Sequence, residues 1–475
     1  MKHRGSEIFM SVENTHYGAE RIGELLLNCK SIYFIGIGGI NMSSLAHLSM
    51  KKGYRVGGSD RACTELCRRL EECGIEVNYC HDEKNAHGYD AFVYTVAIGA
   101  DNPEYIYAKA NGLPLISRAD YLGYIMTDYS VRIGVSGMHG KSTCTSMCAE
   151  ILIGCDSSPT VLSGAELPCM SGAYCVGDSE NFVFEACEYM DSFLDFNPTV
   201  AVILNIEMDH VDYFHSMEQI RASFRKYAAL TGKNGYAVYN ADDKEVVRAL
   251  EGYEGTGISF GLSEDACVRA VNICNDSGCY SFDIIFDGEH FCHVSMRVSG
   301  YHNIYNALAA AAACRLCGAS AQDIAMGLGD FCGACRRMEY KGSVRGANVY
   351  DDYAHHPTEI SATLRGAKEM AKGRLVVVYQ PHTYSRTAAL FDEFAAAFDS
   401  CDEVIFADIY AAREVNTFGV DTRQLAEKIG GKARYGGSFE RCAEMLTDTL
   451  GAGDVGIVMG AGDVYKVFDY LDFEV

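Results

Sequence analysis

The segment Arg132-Ile133-Gly134-Val135-Ser136-Gly137-Met138-His139-Gly140-Lys141-Ser142-Thr143 constrains this chain more than any other. Its apolar run predicts a strand over 133–135. A glycine turn follows, and residues 144–153 predict a helix. Strand, glycine-bearing loop, lysine–hydroxyl pair and helix, in that order, have the form of a phosphate-binding loop. Glycines let backbone N–H groups turn onto phosphate oxygens, and the helix N-terminus adds partial positive charge at the same place. Lys141 is expected to reach the outer phosphates, and Ser142 or Thr143 to sit on Mg2+. The spacing is the shorter Gly-x-x-Gly-Lys-Ser form, with Gly137 as the first glycine. That pattern alone arises by chance. The flanking strand and helix favour a nucleotide site over a glycine turn with a surface lysine.

A chain of 475 residues predicts two or three domains. Its 64 acidic and 40 basic side chains leave a net charge of −24, which argues against nucleic acid or an anionic membrane as partner. No N-terminal run is apolar enough for a signal or a membrane span, and residues 1–20 are polar and expected to be loosely ordered. The 21 cysteines are scattered without paired zinc spacing, and Cys332-Gly-Ala-Cys335 stands alone. They read as small buried hydrophobes of a reducing cytosol.

Residues 1–128, including a partly flexible leader over 1–29, predict one small α/β domain. Its first strand runs into Gly36-Ile37-Gly38-Gly39-Ile40-Asn41 and a helix. This resembles a dinucleotide-binding turn with Asn41 in the third glycine position, and Ser59-Asp60 lies about 20 residues on, where a ribose-binding acid is expected. The incomplete fingerprint favours another diphosphate-bearing ligand over NAD. Residues 129–335 form the second unit. Two further strands there end in Glu185-Ala-Cys187-Glu188 and in Asn205-Ile-Glu207-Met-Asp209-His210. Ligands of open α/β sheets bind beyond the carboxyl ends of the strands, so Lys141, Glu185 and His210 are expected to converge. Glu188, Glu207 and Asp209 read equally well as a solvated strand end. Asn303 and Asn306 share a face of a small-residue helix, with capping as the plain alternative for Asn303. In residues 336–475 strands alternate with helices and end in polar turns, predicting another parallel sheet with a site at one edge. His355, His356 and His382 lack the spacing of a zinc site, so substrate binding is the favoured role.

The ordered set Gly36-Ile-Gly38-Gly39, Gly137-Met-His139-Gly140-Lys141-Ser142, Glu185-Ala-Cys187-Glu188, Asn205-Ile-x-x-Asp209-His210, His302-Asn303-x-x-Asn306, Arg336-Arg337, Asp352-Tyr353-Ala-His355-His356-Pro-Thr-Glu359 and Gln380-Pro-His382-x-Tyr-Ser-Arg386-Thr resembles the Mur ligase family from about Ile32 to Asp463. The His-His-Pro and Gln-Pro-His segments are the most specific. The resemblance implies three α/β domains: a Rossmann-like UDP-binding domain, a P-loop-type ATPase domain and a Rossmann-like C-terminal domain that brings the amino acid. It implies a cytoplasmic enzyme of peptidoglycan synthesis, monomeric or weakly dimeric. That enzyme joins L-alanine to the carboxylate of UDP-N-acetylmuramate, using ATP and Mg2+ at two sites, through an acyl phosphate. The alternative within the family is a ligase that recycles a murein tripeptide.

By the same resemblance, Gly36, Gly38, Gly39, Asn41, Ser59 and Asp60 would hold the UDP-sugar. Gly137, His139, Gly140, Lys141, Ser142, Thr143, Asn303, Asn306, Arg337 and Asp352 would hold ATP. Ser142, Glu185 and His210 would hold metal, and Lys141, Glu185 and His210 would be catalytic. Tyr353, His355, His382 and Arg386 would meet the amino acid. Four positions depart from the family's usual residues: Asn41 for glycine, where asparagine tolerates a left-handed turn, Ser142 for threonine, Cys187 for an acid and Thr383 for arginine. No lysine clearly matches the carbamylated lysine of sister ligases.

Overall fold

The computed structural model describes residues 12–170, 172–210, 213–276, 278–412 and 414–474. Three sheets follow one another along the chain. The first is wholly parallel, in the order Glu76–Asn78, Arg55–Ser59, Ser31–Ile35, Ala91–Tyr94, Leu115–Ser117. Ser31–Ile35 is buried along its whole length, as a strand covered by helices on both faces must be. The strand order reverses at this strand, and the Gly36 turn leaves its carboxyl end, the topological position where such sheets take ligands.

Residues 12–20 are not the loose leader expected. Thr15 Oγ1 donates to Asp120 Oδ2 at 2.7 Å, and the backbone N–H groups of Tyr17 and Gly18 donate to the same carboxylate at 2.6 and 3.0 Å. His16 Nδ1 lies 2.5 Å from Asp195 Oδ1 in the second unit. The helix Gly18–Leu26 then packs on Arg118–Met126. The part of the leader at 1–11 lies outside the described residues.

The second sheet has ten strands. The phosphate-loop strand Val131–Ser136 lies near its middle, between Val200–Ile203 and Asn181–Glu185 and parallel to both. The helix Lys141–Gly154 leaves the loop and packs on His302–Leu316, whose residues Ala307 to Ala313 are all buried. Small side chains let these two backbones approach closely, and that holds Asn303 and Asn306 against the loop. At the far edge, Val268–Asp276, Cys279–Phe286 and Glu289–Ser299 form an antiparallel arm. In Cys279–Phe286 the first residues alternate between buried and half-buried, the pattern of a sheet with one covered face.

The third sheet runs Glu339–Val344, Ala347–Asp352, Val455–Met459, Leu375–Tyr379, Glu403–Ala407, Ala433–Gly437. All its pairs are parallel except the first. Apolar clusters fill both faces. Asp352, Gln380, Asp408 and Gly460 therefore all emerge at one edge, which faces the phosphate loop. The chain is a three-unit α/β protein with Rossmann-like outer sheets and a P-loop-type centre.

Candidate functional site

The phosphate loop takes its shape from Gly137 at φ +136° and Gly140 at φ +83°, values that L side chains rarely adopt. A Cβ on Gly140 would stand 2.6 Å from Asn306 Oδ1. Asn205 clips the loop from below: its Oδ1 accepts from His139 N at 2.8 Å and its Nδ2 donates to His139 O at 3.0 Å. The helix begins at Lys141, so its N-terminal N–H groups face the same place.

Lys141 Nζ donates to Gly137 O at 2.5 Å and Met138 O at 3.1 Å, and lies 3.1 Å from Glu188 Oε2. Glu188 is fully buried and its other oxygen is 3.0 Å from His210 Nε2. Burial is the largest single influence on both charges and opposes them. The surrounding partners together outweigh it, Glu188 with Cys187 and Glu185 around Lys141, and Lys141 with His210 around Glu188, holding Lys141 at about 12 and the Glu188 carboxyl below its ordinary value. Glu188, Glu207 and Asp209 are thus not a solvated strand end. Glu188 and Asp209 are buried, and Glu207 bonds to His139. Glu185 accepts a hydrogen bond from Gly164 N, with Ser163 Oγ at 3.4 Å from the same oxygen. Glu188, in place of the expected Glu185, joins Lys141 to His210, and among the described residues Glu185, Glu188 and His210 do not gather their ligand atoms around one point; by type alone, a hydroxyl at Ser142 and carboxylates at Glu185 and Glu188 are the hard donors that Mg2+ prefers.

Above the loop, a cavity of about 930 Å³ opens between the second and third sheets. Thr143, Asn303, Asn306, Arg337 and Asp352 line it, and its size suits a nucleotide. Asn303 Nδ2 donates back to Ser299 O at 2.7 Å and Asn306 Nδ2 donates to Asn303 Oδ1 at 3.0 Å; Asn303 is therefore not a cap, since the N-cap position is Tyr301 and no side chain caps this helix. Asp352 accepts N–H bonds from Met338 and Ala354, both at 2.9 Å, and burial raises its carboxyl above the usual range. Arg337 lies over the Tyr353 ring at 5.3 Å and 3.9 Å from Glu359.

The third sheet's edge contributes the rest. His355 Nδ1 contacts Tyr353 O at 3.2 Å, and its ring stands 6.0 Å from that of His382, which stacks on Tyr410 at 5.4 Å. Burial, opposed in part by Glu359, lowers His355 to about 4, so it is neutral near pH 7. Gln380 Oε1 and His382 Nδ1 are buried without a hydrogen-bond partner among the described residues, which marks this corner as one built for a polar ligand. Arg386 lies 3.5 Å from Asp209 Oδ1, so it bridges to the second unit.

In the first unit Asp60 Oδ2 accepts from Gly38 N at 2.9 Å, and a Cβ on Gly38 would stand 2.8 Å from that oxygen. Asp60 holds the glycine turn in shape. Ser59 donates to the buried Glu104 at 2.6 Å. Asn41 sits in the first turn of the helix Ile40–Lys51 and is not among the residues of positive φ, so a left-handed turn is not what accommodates it there. Gly36, at φ +85°, supplies that conformation instead. Sequence reasoning gave no role to Glu188, Asn205, Glu207 or Glu359. Glu188, Asn205 and Glu359 stood within quoted motifs and Glu207 at an unspecified position between Asn205 and Asp209, but only the three-dimensional contacts separate their tasks.

Three segments of the chain match models described as Mur ligase family, catalytic domain (residues 31–130), Mur ligase middle domain (135–314) and Mur ligase, glutamate ligase domain (336–462). A UDP-N-acetylmuramate–L-alanine ligase of Caldicellulosiruptor saccharolyticus is 44% identical over 443 residues, covering 92% of this chain and 97% of its own. The crystal structure of the UDP-N-acetylmuramate–alanine ligase of Thermotoga maritima superposes with a TM-score of 0.77 at 26% identity, over 93% of this chain and 98% of that one. A murein peptide ligase of Psychrobacter arcticus shares the fold, with a TM-score of 0.69 at 23% identity over 94% and 99% of the two chains.

Proposed function

The chain belongs to the Mur ligase family, and from that premise we propose that it ligates L-alanine to the carboxylate of UDP-N-acetylmuramate at the expense of ATP, in peptidoglycan precursor synthesis. The tripeptide-recycling alternative is not favoured. The observation that carries the reading is the buried chain Lys141–Glu188–His210 at the mouth of a phosphate loop, beneath a nucleotide-sized cavity roofed by the third domain.

The muramate carboxylate attacks the γ-phosphoryl group of ATP, giving an acyl phosphate and ADP. The alanine amine then attacks the acyl carbon, and inorganic phosphate leaves. Such chemistry depends on positioning and on stabilising phosphoryl charge. Lys141 stays cationic throughout and meets that charge. The loop N–H groups hold the β- and γ-phosphates. Asn303, Asn306, Arg337 and Asp352 surround the remainder of the nucleotide, a role supported by their place in the cavity lining. Mg2+, held by Ser142, Glu185 and His210, would screen the transferred phosphoryl group. Two such ions fit the family reaction.

Tyr353, His355, His382 and Arg386 form the amino-acid corner. A neutral His355 accepts a hydrogen bond from the alanine amine without repelling it, and the unpartnered His382 Nδ1 offers a second polar contact. The glycine turn at Gly36, Gly38 and Gly39, shaped by Asp60 and followed by Asn41, takes the UDP diphosphate, with Ser59 backing it from the buried side. The reading divides the chain at about residues 128 and 335, a division supported by the order of the three sheets along the chain. All 21 cysteines carry free thiols, which suits a reducing cytoplasm. No helix among the described residues is long and apolar enough to cross a membrane. A monomer or weak homodimer completes the reading.

The test is phosphate release from Mg-ATP with UDP-N-acetylmuramate, with and without L-alanine. Release that needs both substrates is expected. Release with tripeptide and not alanine would replace the reading with its alternative.

A further inference from the structure

In the wall of the nucleotide cavity, where the phosphate loop meets the third domain, His139 and Glu207 stand beside His356 in a cluster to which the ligase reading gives no metal-binding role. His139 of the loop, Glu207 beyond the strand Val200–Ile203, and His356 just before the helix Pro357–Met370 each offer one ligand atom, and these atoms lie within 4.8 Å of one another. His139 Nε2 bonds to Glu207 Oε1, and His356 Nδ1 stands 3.5 Å from the same oxygen. With Zn–N and Zn–O bonds of about 2.0–2.2 Å, the ligand atoms of a tetrahedral zinc stand about 3.3 Å apart. The cluster therefore needs side-chain adjustment, and no change of fold, to close on an ion.

Its surroundings are those of a built site. His139 Nδ1 is 3.2 Å from Glu359 Oε1. The contact is of ion-pair length without hydrogen-bond geometry, since Nδ1 has no hydrogen-bond partner among the described residues, and it places a carboxylate where ligating imidazoles have their outer partner. His356 is only 5% exposed. Its Nδ1 accepts one long bond, 3.4 Å from Thr358 N, and its Nε2 has no partner among the described residues. Two imidazoles and one carboxylate select a borderline cation such as Zn2+, whereas Mg2+ prefers oxygen. Three protein ligands leave the fourth position open.

We propose that His139 Nε2, Glu207 and His356 Nδ1 bind Zn2+ or a cation of like softness, and that the bound ion ties the phosphate loop to the third domain. This binding does not depend on the ligase reading, since two of its ligands come from outside the loop and the ion alone is the ligand.

Co2+ occupies zinc sites and reports its ligands through its spectrum. Titrated into the full-length protein without nucleotide, it is expected to bind at one equivalent with visible d–d absorption, without the near-ultraviolet charge-transfer band of a thiolate, and to be displaced by Zn2+. Glu207→Gln and His356→Gln, each checked for native circular dichroism, are expected to weaken binding by about tenfold or more. His87→Gln, at an exposed side chain of the first unit beside Glu83 and away from the cluster, is expected to leave it unchanged. A thiolate band would place the ion on the cysteines and overturn the proposal. So would absence of uptake, unchanged affinity in both cluster variants, or equal loss in His87→Gln.

Discussion

Lys141 and Glu188 form an ion pair 3.1 Å long in which the carboxylate has no solvent exposure at all. Removing one partner of such a pair leaves the other buried and uncompensated, which costs about 3–5 kcal/mol. His210 remains on Glu188 and offsets part of that. Lys141→Ala is therefore expected to abolish phosphate release and also to lower the urea midpoint. Lys141→Ala combined with Glu188→Ala should regain part of the lost stability and none of the activity. Denaturant titration beside the phosphate assay separates the two effects, and a double variant no more stable than the single would show that the pair is not coupled.

Asp209 sets an acid limit on stability. Burial acts to raise its carboxyl, but His210, Arg386 and His356 together outweigh burial and hold it at about 2. An acid depressed in the folded state contributes stability that is present above its unfolded value, near 3.9, and lost as pH falls through the folded value. The window is therefore about pH 4 to pH 2, and the contribution about 2–3 kcal/mol. Asp209→Asn should be less stable than the parent at pH 5 and converge with it towards pH 2. Unfolding midpoints measured across that range check this.

Gly140→Ala and Gly154→Ala make a contrast within one helix and its cap. At Gly140 a Cβ meets Asn306 Oδ1 at 2.6 Å and the backbone is left-handed, a conformation costing about 1–2 kcal/mol for an L residue. At Gly154 nothing lies within 4 Å. Gly140→Ala is expected to raise the KM for ATP at least tenfold. Gly154→Ala should leave kinetics unchanged and stabilise the helix by up to about 1 kcal/mol.

Glu369 fastens the third domain to the antiparallel arm. It accepts from Asn275 Nδ2 at 2.7 Å and from Tyr280 OH at 2.9 Å. Glu369→Ala should cost about 1–3 kcal/mol of docking. It should speed hydrogen exchange around residues 275–280 and enlarge the radius of gyration in small-angle scattering, whereas an unchanged radius would mean that other contacts set the domain arrangement.

Much of this was legible in the sequence because it is local. The phosphate loop, the glycine turn at Gly36 and the strands of the outer sheets each announce themselves within a dozen residues. The antiparallel arm over 268–299 did not, since its alternation is interrupted by register shifts between Val271 and Cys274 and between Ile284 and Ile285. Glu188 was undervalued because a carboxylate beside a strand end is usually solvated, and its burial depends on Lys141, 47 residues away. Glu207 acquires its partner, His139, only when two strand ends 68 residues apart come together within the second domain, and Glu359 meets the same His139 only when the second and third domains meet.

The strap at residues 15–18 has a consequence for the newly made chain. It leaves the ribosome well before its partners, Asp120 and Asp195, the latter 179 residues downstream of His16. At roughly 5–20 residues per second the interval between making His16 and making its partner is about 10–40 s. The first domain must wait that long, its edge unfastened, before the second can clasp it. The ends of the clasp are thus joined only after the chain has been made past Asp195, and a bulky fusion placed immediately before residue 12 would burden that step more than it would burden the finished enzyme.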